Sequence, residues 1–322
     1  MRFRVAATAL VLATSALACS GSSETTAGKT SSSAVAASEP SAHPPARVVK
    51  ITTELGANFI AITDDAAWVT QTEAGKVARI DPVSNKIVAQ VTVGTSPASI
   101  ATGFNRLWIA NSGETSLSVV DPKSNRVVKT VALKSRPDNV SAGLGFVWVA
   151  SSTAGAIYQI APATYALVRT IAVEGTEDVV AGDEGLWAIG PGKNKLTQLD
   201  PETGNIMTSI DVKDGAHSIA LGSGAVWTGS GPNGNAITRI SGAGPNKAIP
   251  VEAGAFPDRI AFSPGAVWVG EFRRFAVVKI DPETNAIVDK ITVGNGPAVV
   301  AVGFRSLWVA NYNESTIWRL PL

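Results

Sequence analysis

Seven tryptophans pace this chain. Trp68, Trp108, Trp148, Trp187, Trp227, Trp268 and Trp308 follow one another at intervals of 40, 40, 39, 40, 41 and 40 residues. Eight residues ahead of each stands a β-branched residue: Ile60, Ile100, Val140, Val179, Ile219, Ile260 and Val300. A period near 40 whose unit holds several short strand-like runs points to a ring of sheets, because one such unit cannot bury its own apolar face. In the second unit the runs are 98–102, 107–110, 117–120 and 127–133, here called strands a to d. Strands c and d are joined by Asp121-Pro122-Lys123-Ser124-Asn125. Asp and Pro there favour a type I turn, and Asn tolerates the left-handed exit. The turn returns at Asp81-Pro82, Asp200-Pro201 and Asp281-Pro282, shrinks to Ala161-Pro162 in the third unit, and gives way to Ser241-Gly242 in the fifth.

Both ends of the array are incomplete in complementary ways. Residues 47–55 form a strand d with no a, b or c before it, while the seventh unit stops after its strand c near Trp318. Joined, they make one blade and remove the unpaired edges an open ring would carry. The expected fold is all-β: a seven-bladed β-propeller of four-stranded blades over residues 47–322, closed by the N-terminal strand. The repeated Trp is expected between neighbouring blades, where a large aromatic buries the most area.

Leu107-Trp108-Ile109-Ala110-Asn111, Val119-Val120-Asp121-Pro122 and Leu307-Trp308-Val309-Ala310-Asn311 resemble YVTN-type β-propeller repeats and the related virginiamycin B (streptogramin) lyase-like propellers. The resemblance spans residues 47–322. In the lyases it implies magnesium-dependent elimination at a Glu-x-His after a repeat Trp, with a second His from the preceding blade. Here Glu271 holds the place of the acid, Arg273 that of the histidine, and residues 228–233 contain no His. A guanidinium stays protonated, so it is neither metal ligand nor general base. The resemblance therefore carries the fold more firmly than the activity.

Ahead of the repeats, Arg2 and Arg4 precede an apolar run over 5–18, which ends in Ala16-Leu17-Ala18-Cys19. The run is short of the roughly 20 residues that span a bilayer. It reads as a secretory signal over residues 1–19. Its end resembles a lipobox, with Ala16 where Leu is usual, so Cys19 is the expected lipidation site and two or more acyl chains the anchor. Residues 20–46 hold eight Ser and three Thr and form the expected flexible tether, with a reach of about 25–30 Å. His43 falls in this tether and is given no catalytic part. Cys19 is the only cysteine, which excludes a disulfide framework or a thiolate zinc cluster within one chain. With 27 basic and 26 acidic residues there is no electrostatic footprint for nucleic acid.

Aligning the units on the β-branched column places chemistry at one level. Two residues earlier stand Asn58, Ala98, Asp138, Glu177, His217, Asp258 and Ala298; one residue earlier stand Phe59, Ser99, Asn139, Asp178, Ser218, Arg259 and Val299. Four consecutive units thus bring Asp138, Glu177, His217 and Asp258 to the channel mouth, with Asn139, Asp178 and Arg259 beside them. Such a set suits a divalent cation, Ca2+ or Mg2+, or a polar ligand. Equally, these side chains are solvated at a wet mouth, with Arg259 paired to Asp178 or Asp258. Glu271 and Arg273 are placed at the rim, beside Phe272 and Phe275. The expected function is non-catalytic binding, through this face, of an envelope protein, another protein or peptide, or a small ligand. The alternatives are a metal-dependent lyase or hydrolase with His217 as base, and a structural scaffold. The expected state is an exported monomer, on the extracytoplasmic side, touching the membrane through its lipid alone.

Overall fold

The computed structural model describes residues 40–190, 194–212, 215–231, 234–241, 247–254 and 256–322. The expected signal peptide, Cys19 and the tether up to residue 39 lie outside the described residues. Each unit forms a four-stranded antiparallel sheet in the order a, b, c, d. Blade one, for example, comprises Ala57–Ile62, Ala67–Gln71, Lys76–Asp81 and Lys86–Thr92. Blade six comprises Pro257–Ser263, Ala266–Glu271, Ala276–Ile280 and Ile287–Thr292. The ring closes as the incomplete ends require. Val49–Thr52 pairs antiparallel with Thr316–Pro321, Val49 opposite Arg319 and Thr52 opposite Thr316. The protein is thus an all-β, seven-bladed propeller closed by its N-terminal strand. Strands a of successive blades pack side by side around the channel.

The period has a packing cause. Every repeat Trp lies in a strand b and is at most 4% exposed. Trp108 of blade two packs with Val140, Val147 and Val149 of blade three, and Trp308 of blade seven with Ala57, Ile60 and Val69 of blade one. Each interface thus receives one repeat indole and one residue of the β-branched column, and the one between blades six and seven also holds Trp318. The buried indole N–H needs an acceptor. Trp108, Trp148 and Trp308 donate to the carbonyls of Gly103, Gly143 and Gly303, which end the respective strands a, at 3.0–3.1 Å. Those ends approach the next blade closely: a Cβ on Gly143 would sit 2.5 Å from the Ala181 carbonyl oxygen.

The Asp-Pro turns form as their chemistry dictates. Asp81 Oδ1 accepts the Val83 and Ser84 N–H groups at 2.7 and 2.8 Å, and Asp281 Oδ1 those of Glu283 and Thr284 at 2.7 and 3.2 Å. These backbone donors hold both carboxyls below the ordinary carboxylate range. Asn85 and Asn285 take φ of 57° and 59°, the left-handed exit.

Candidate functional site

Strands a deliver the predicted residues to one end of the channel, and Arg259 organises them. Its Nη1 donates to Asp178 Oδ2 at 2.7 Å, its Nε lies 3.6 Å from Asp258 Oδ1, and its guanidinium sits 4.6 Å from the centre of the Phe59 ring. Asp178 also accepts the Ile219 N–H at 3.1 Å. Burial opposes the Arg259 charge, and the carboxylates of Asp178 and Asp258 outweigh it, holding the guanidinium proton above its ordinary range. Burial pushes the Asp178 carboxyl up, against the pull of Arg259 and of the Ile219 N–H. Arg259 therefore has the carboxylate partners anticipated for it.

His217 Nε2 stands 3.5 Å from Asp258 Oδ1, and its ring packs against Phe256 at 6.3 Å between centroids. A Cβ on Gly231 would meet the imidazole at 2.6 Å, so the absence of a side chain there makes room for the ring. Glu177 is half-buried in the same field. Burial raises its pKa above the ordinary 4.5; His217 and Arg259 pull it back, and Asp138 and Asp178 push it further. Asp138 is committed within its own blade, its Oδ2 accepting the backbone N–H and the hydroxyl of Ser152 at 2.6 Å each. Asn139 is buried at the start of its strand a. Among the described residues no group of three or more His, Cys, Asp or Glu is placed to share a metal ion.

The two rim residues part company. Arg273 is exposed, but Glu271 is fully buried and lies away from the rim. Lys290 Nζ sits 2.6 Å from its Oε2, and Arg274 Nη1 lies 3.7 Å from its Oε1. In blade two the same position is Asn111, whose Oδ1 accepts the Gly94 N–H of the d–a loop at 3.2 Å. Glu271 thus occupies a structural position. With Lys290 on its carboxylate and an arginine two residues on, the donor set that the lyase resemblance calls for does not fit a magnesium ion here.

A pocket of about 310 Å³ opens at this end over blades six, seven and one. Phe59, Phe256, Phe272 and Tyr312 wall it, and Asp258 and Arg259 reach into its lining. Phe256 and Phe272 touch at 5.2 Å between centroids, and Tyr312 donates its hydroxyl to Glu73 at 3.3 Å. Phe256 and Tyr312 were not anticipated as site residues. Tyr312 and Phe272 both stand four residues after a repeat Trp, where other units carry Thr72, Ser112, Ser152 and Gly231, so that column carried the signal. Phe256 stands twelve residues before a repeat Trp, at the left-handed position that other units fill with Gly56, Ser96, Gly175, Gly215 and Gly296, and takes φ 60° there itself.

A family profile described as a domain of unknown function (DUF5074) matches residues 28–181. No curated protein matches the chain. Among solved structures, hydrazine synthase of Kuenenia stuttgartiensis superposes with a TM-score of 0.74 at 18% identity, covering 84% of this chain and 97% of that one. Virginiamycin B lyase from Staphylococcus aureus superposes with a TM-score of 0.74 at 19% identity, covering 86% and 99%. A streptogramin B lyase gives 0.72 at 19% identity, covering 85% and 96%. At such identities the likeness is one of fold, and what it shows is a seven-bladed β-propeller similar to the streptogramin lyase-like proteins.

Proposed function

We propose that this propeller is a non-catalytic binding module that receives, at its channel mouth, a ligand carrying a cationic group on an apolar body. A small amine or the basic side chain of a peptide would fit. The observation that carries this reading is the pocket over blades six, seven and one, with four aromatic walls and with Asp258 beside Arg259 in its lining. Asp178, Asp258 and Glu177 act on the single guanidinium of Arg259, while Asp138 and the His217 imidazole act on Glu177. Aromatic faces and unneutralised carboxylates both attract an ammonium or guanidinium group. The raised pKa of Glu177 reflects the same burial and crowding of negative charge.

The lyase alternative draws less support, because Glu271 is engaged by Lys290 and no metal-binding group is assembled among the described residues. We further propose that the domain is exported and held at the membrane by lipid on Cys19. Incorporation of labelled palmitate that disappears in Cys19→Ser supports this; equal labelling of the variant refutes it.

Isothermal titration with benzylamine and with benzyl alcohol tests the binding reading. Benzylamine should bind, and Asp258→Asn or Phe272→Ala should weaken it about tenfold, near 1.4 kcal/mol. Equal binding of the alcohol removes the charge argument. A stabilisation by Ca2+ or Mg2+ that vanishes in Glu177→Ala and His217→Ala would instead favour the metal reading.

A further inference from the structure

Just ahead of the closing strand, the chain adds to a different blade. The His43 N–H donates to the Lys290 carbonyl at 3.0 Å, and the Thr292 N–H donates to the His43 carbonyl at 2.7 Å. His43 thereby pairs in parallel with Ile291 on the outer edge of blade six. Its imidazole is engaged at both nitrogens: Nε2 lies 2.8 Å from Asp289 Oδ1 and Nδ1 lies 2.9 Å from the Pro44 carbonyl oxygen. A carbonyl only accepts. Asp289 Oδ1 already accepts the Lys290 N–H at 2.7 Å, so it is an acceptor too. Both ring nitrogens must then donate, and only the imidazolium does that.

We propose that residues 42–44 are a proton-operated latch, closed on the edge of blade six while His43 is protonated and released when it is neutral. A neutral ring loses one bond in either tautomer. It sets a lone pair against the Asp289 carboxylate or against the Pro44 carbonyl. The side chain is 52% exposed, so its proton exchanges with bulk solvent. Among the described residues Asp289 is the one titratable group acting on it, since the ammonium of neighbouring Lys290 is turned inward onto Glu271. The Pro44 carbonyl, and after it Asp289, raise the pKa above the ordinary 6.5. A raised folded-state value makes the latch fully effective below 6.5 and lost as pH rises through that higher value. Release frees residues 43–47, since Val48 packs on the core between blades six and seven, and lengthens the arm by about 17 Å at full extension. Proton concentration would thus set how far the ring stands from whatever holds the arm.

Amide exchange of the purified chain, read residue by residue by NMR and corrected for intrinsic rates, tests this from about pH 5 to about pH 8.5. Thr292 protection should fall about tenfold or more as His43 titrates, with a His43 pKa above 6.5. His43→Ala should leave Thr292 unprotected throughout, and Asp289→Asn should lower the His43 pKa. Thr292 protection that is unchanged by pH, or retained in His43→Ala, would overturn the latch.

Discussion

Arg259 of blade six bonds to Asp178 of blade four at 2.7 Å, although blade five lies between them in the ring. The same guanidinium sits on the Phe59 ring of blade one, two blades away on the other side. One side chain therefore links three blades that share no interface, at the end of the channel where the aromatic pocket opens. Asp178 is 2% exposed, and a buried carboxylate stripped of its counter-ion costs about 3–5 kcal/mol. Arg259→Met should destabilise the ring by that order in urea unfolding. Adding Asp178→Leu should recover much of the loss, because the uncompensated charge goes with it. A loss below about 1 kcal/mol in Arg259→Met would mean that the pair braces nothing.

Glu177 gives the site a pH signature. Its folded-state pKa is raised, chiefly by burial. An acid raised on folding disfavours the native state once it ionises, so the penalty appears as pH climbs from 4.5 through the folded value. Glu177→Gln should accordingly raise Tm at neutral pH, by an amount that shrinks to nothing below about pH 4. Proton release on binding a cationic ligand should accompany this, visible as a buffer-dependent heat in wild type and diminished in the variant. A Tm difference that is constant with pH would remove Glu177 from the titrating set.

The fold was legible because each signal is written many times over. Trp68 alone says little, whereas seven indoles in register with seven β-branched residues specify one interface repeated around a ring. The channel-mouth column likewise brought Asp178, His217, Asp258 and Arg259 to one level. It offered Asp178 and Asp258 as alternative partners of Arg259 but could not show that the guanidinium reaches both, because aligning units compares equivalent positions and says nothing of reach across a channel. Glu271 was misplaced for a related reason. Its column holds Gln71, Asn111 and Asn311, all fully buried, so the position is interior even where the residue is charged. His43 makes a contact that occurs once, on an edge no repeat describes, and no periodic signal reports it.

The close approach of strands a makes a sharp packing test. A Cβ on Gly143 would stand 2.5 Å from the Ala181 carbonyl oxygen, a backbone atom of the next blade. Gly143 also supplies the acceptor for the Trp148 indole. Gly143→Ala should cost about 1–3 kcal/mol through overpacking. Trp148→Ala, which empties an interface, should cost about 3–5 kcal/mol. By contrast, Gly145→Ala should cost through its φ of 82° alone, since none of the described residues lies within 4 Å of its Cβ direction. Thermal unfolding of the three variants should rank them with Trp148→Ala lowest. A neutral Gly143→Ala would show that the blades are less tightly apposed than the 2.5 Å approach implies.

Blade six replaces a neutral arrangement with a buried ion pair, and blade two shows what it replaced. In blade two, Asn111 accepts from Gly94 and donates to Ser116 and Ser118 at 2.7 and 3.0 Å, while Ser118 lies opposite Thr130 of strand d. In blade six the corresponding residues are Glu271, Ala276, Val278 and Lys290, with Ala276 opposite Glu271 and Val278 opposite Lys290. The valine offers no hydroxyl, so the lysine ammonium supplies what Glu271 needs. Lys290→Met should then leave a fully buried carboxylate with Arg274 alone at 3.7 Å among the described residues, at a cost of about 3–5 kcal/mol. Glu271→Asn combined with Ala276→Ser, Val278→Ser and Lys290→Thr rebuilds the blade-two set and should return stability to within about 1 kcal/mol of wild type. If Lys290→Met is neutral in urea unfolding, the carboxylate is served by another group, with Arg274 at 3.7 Å the next to remove.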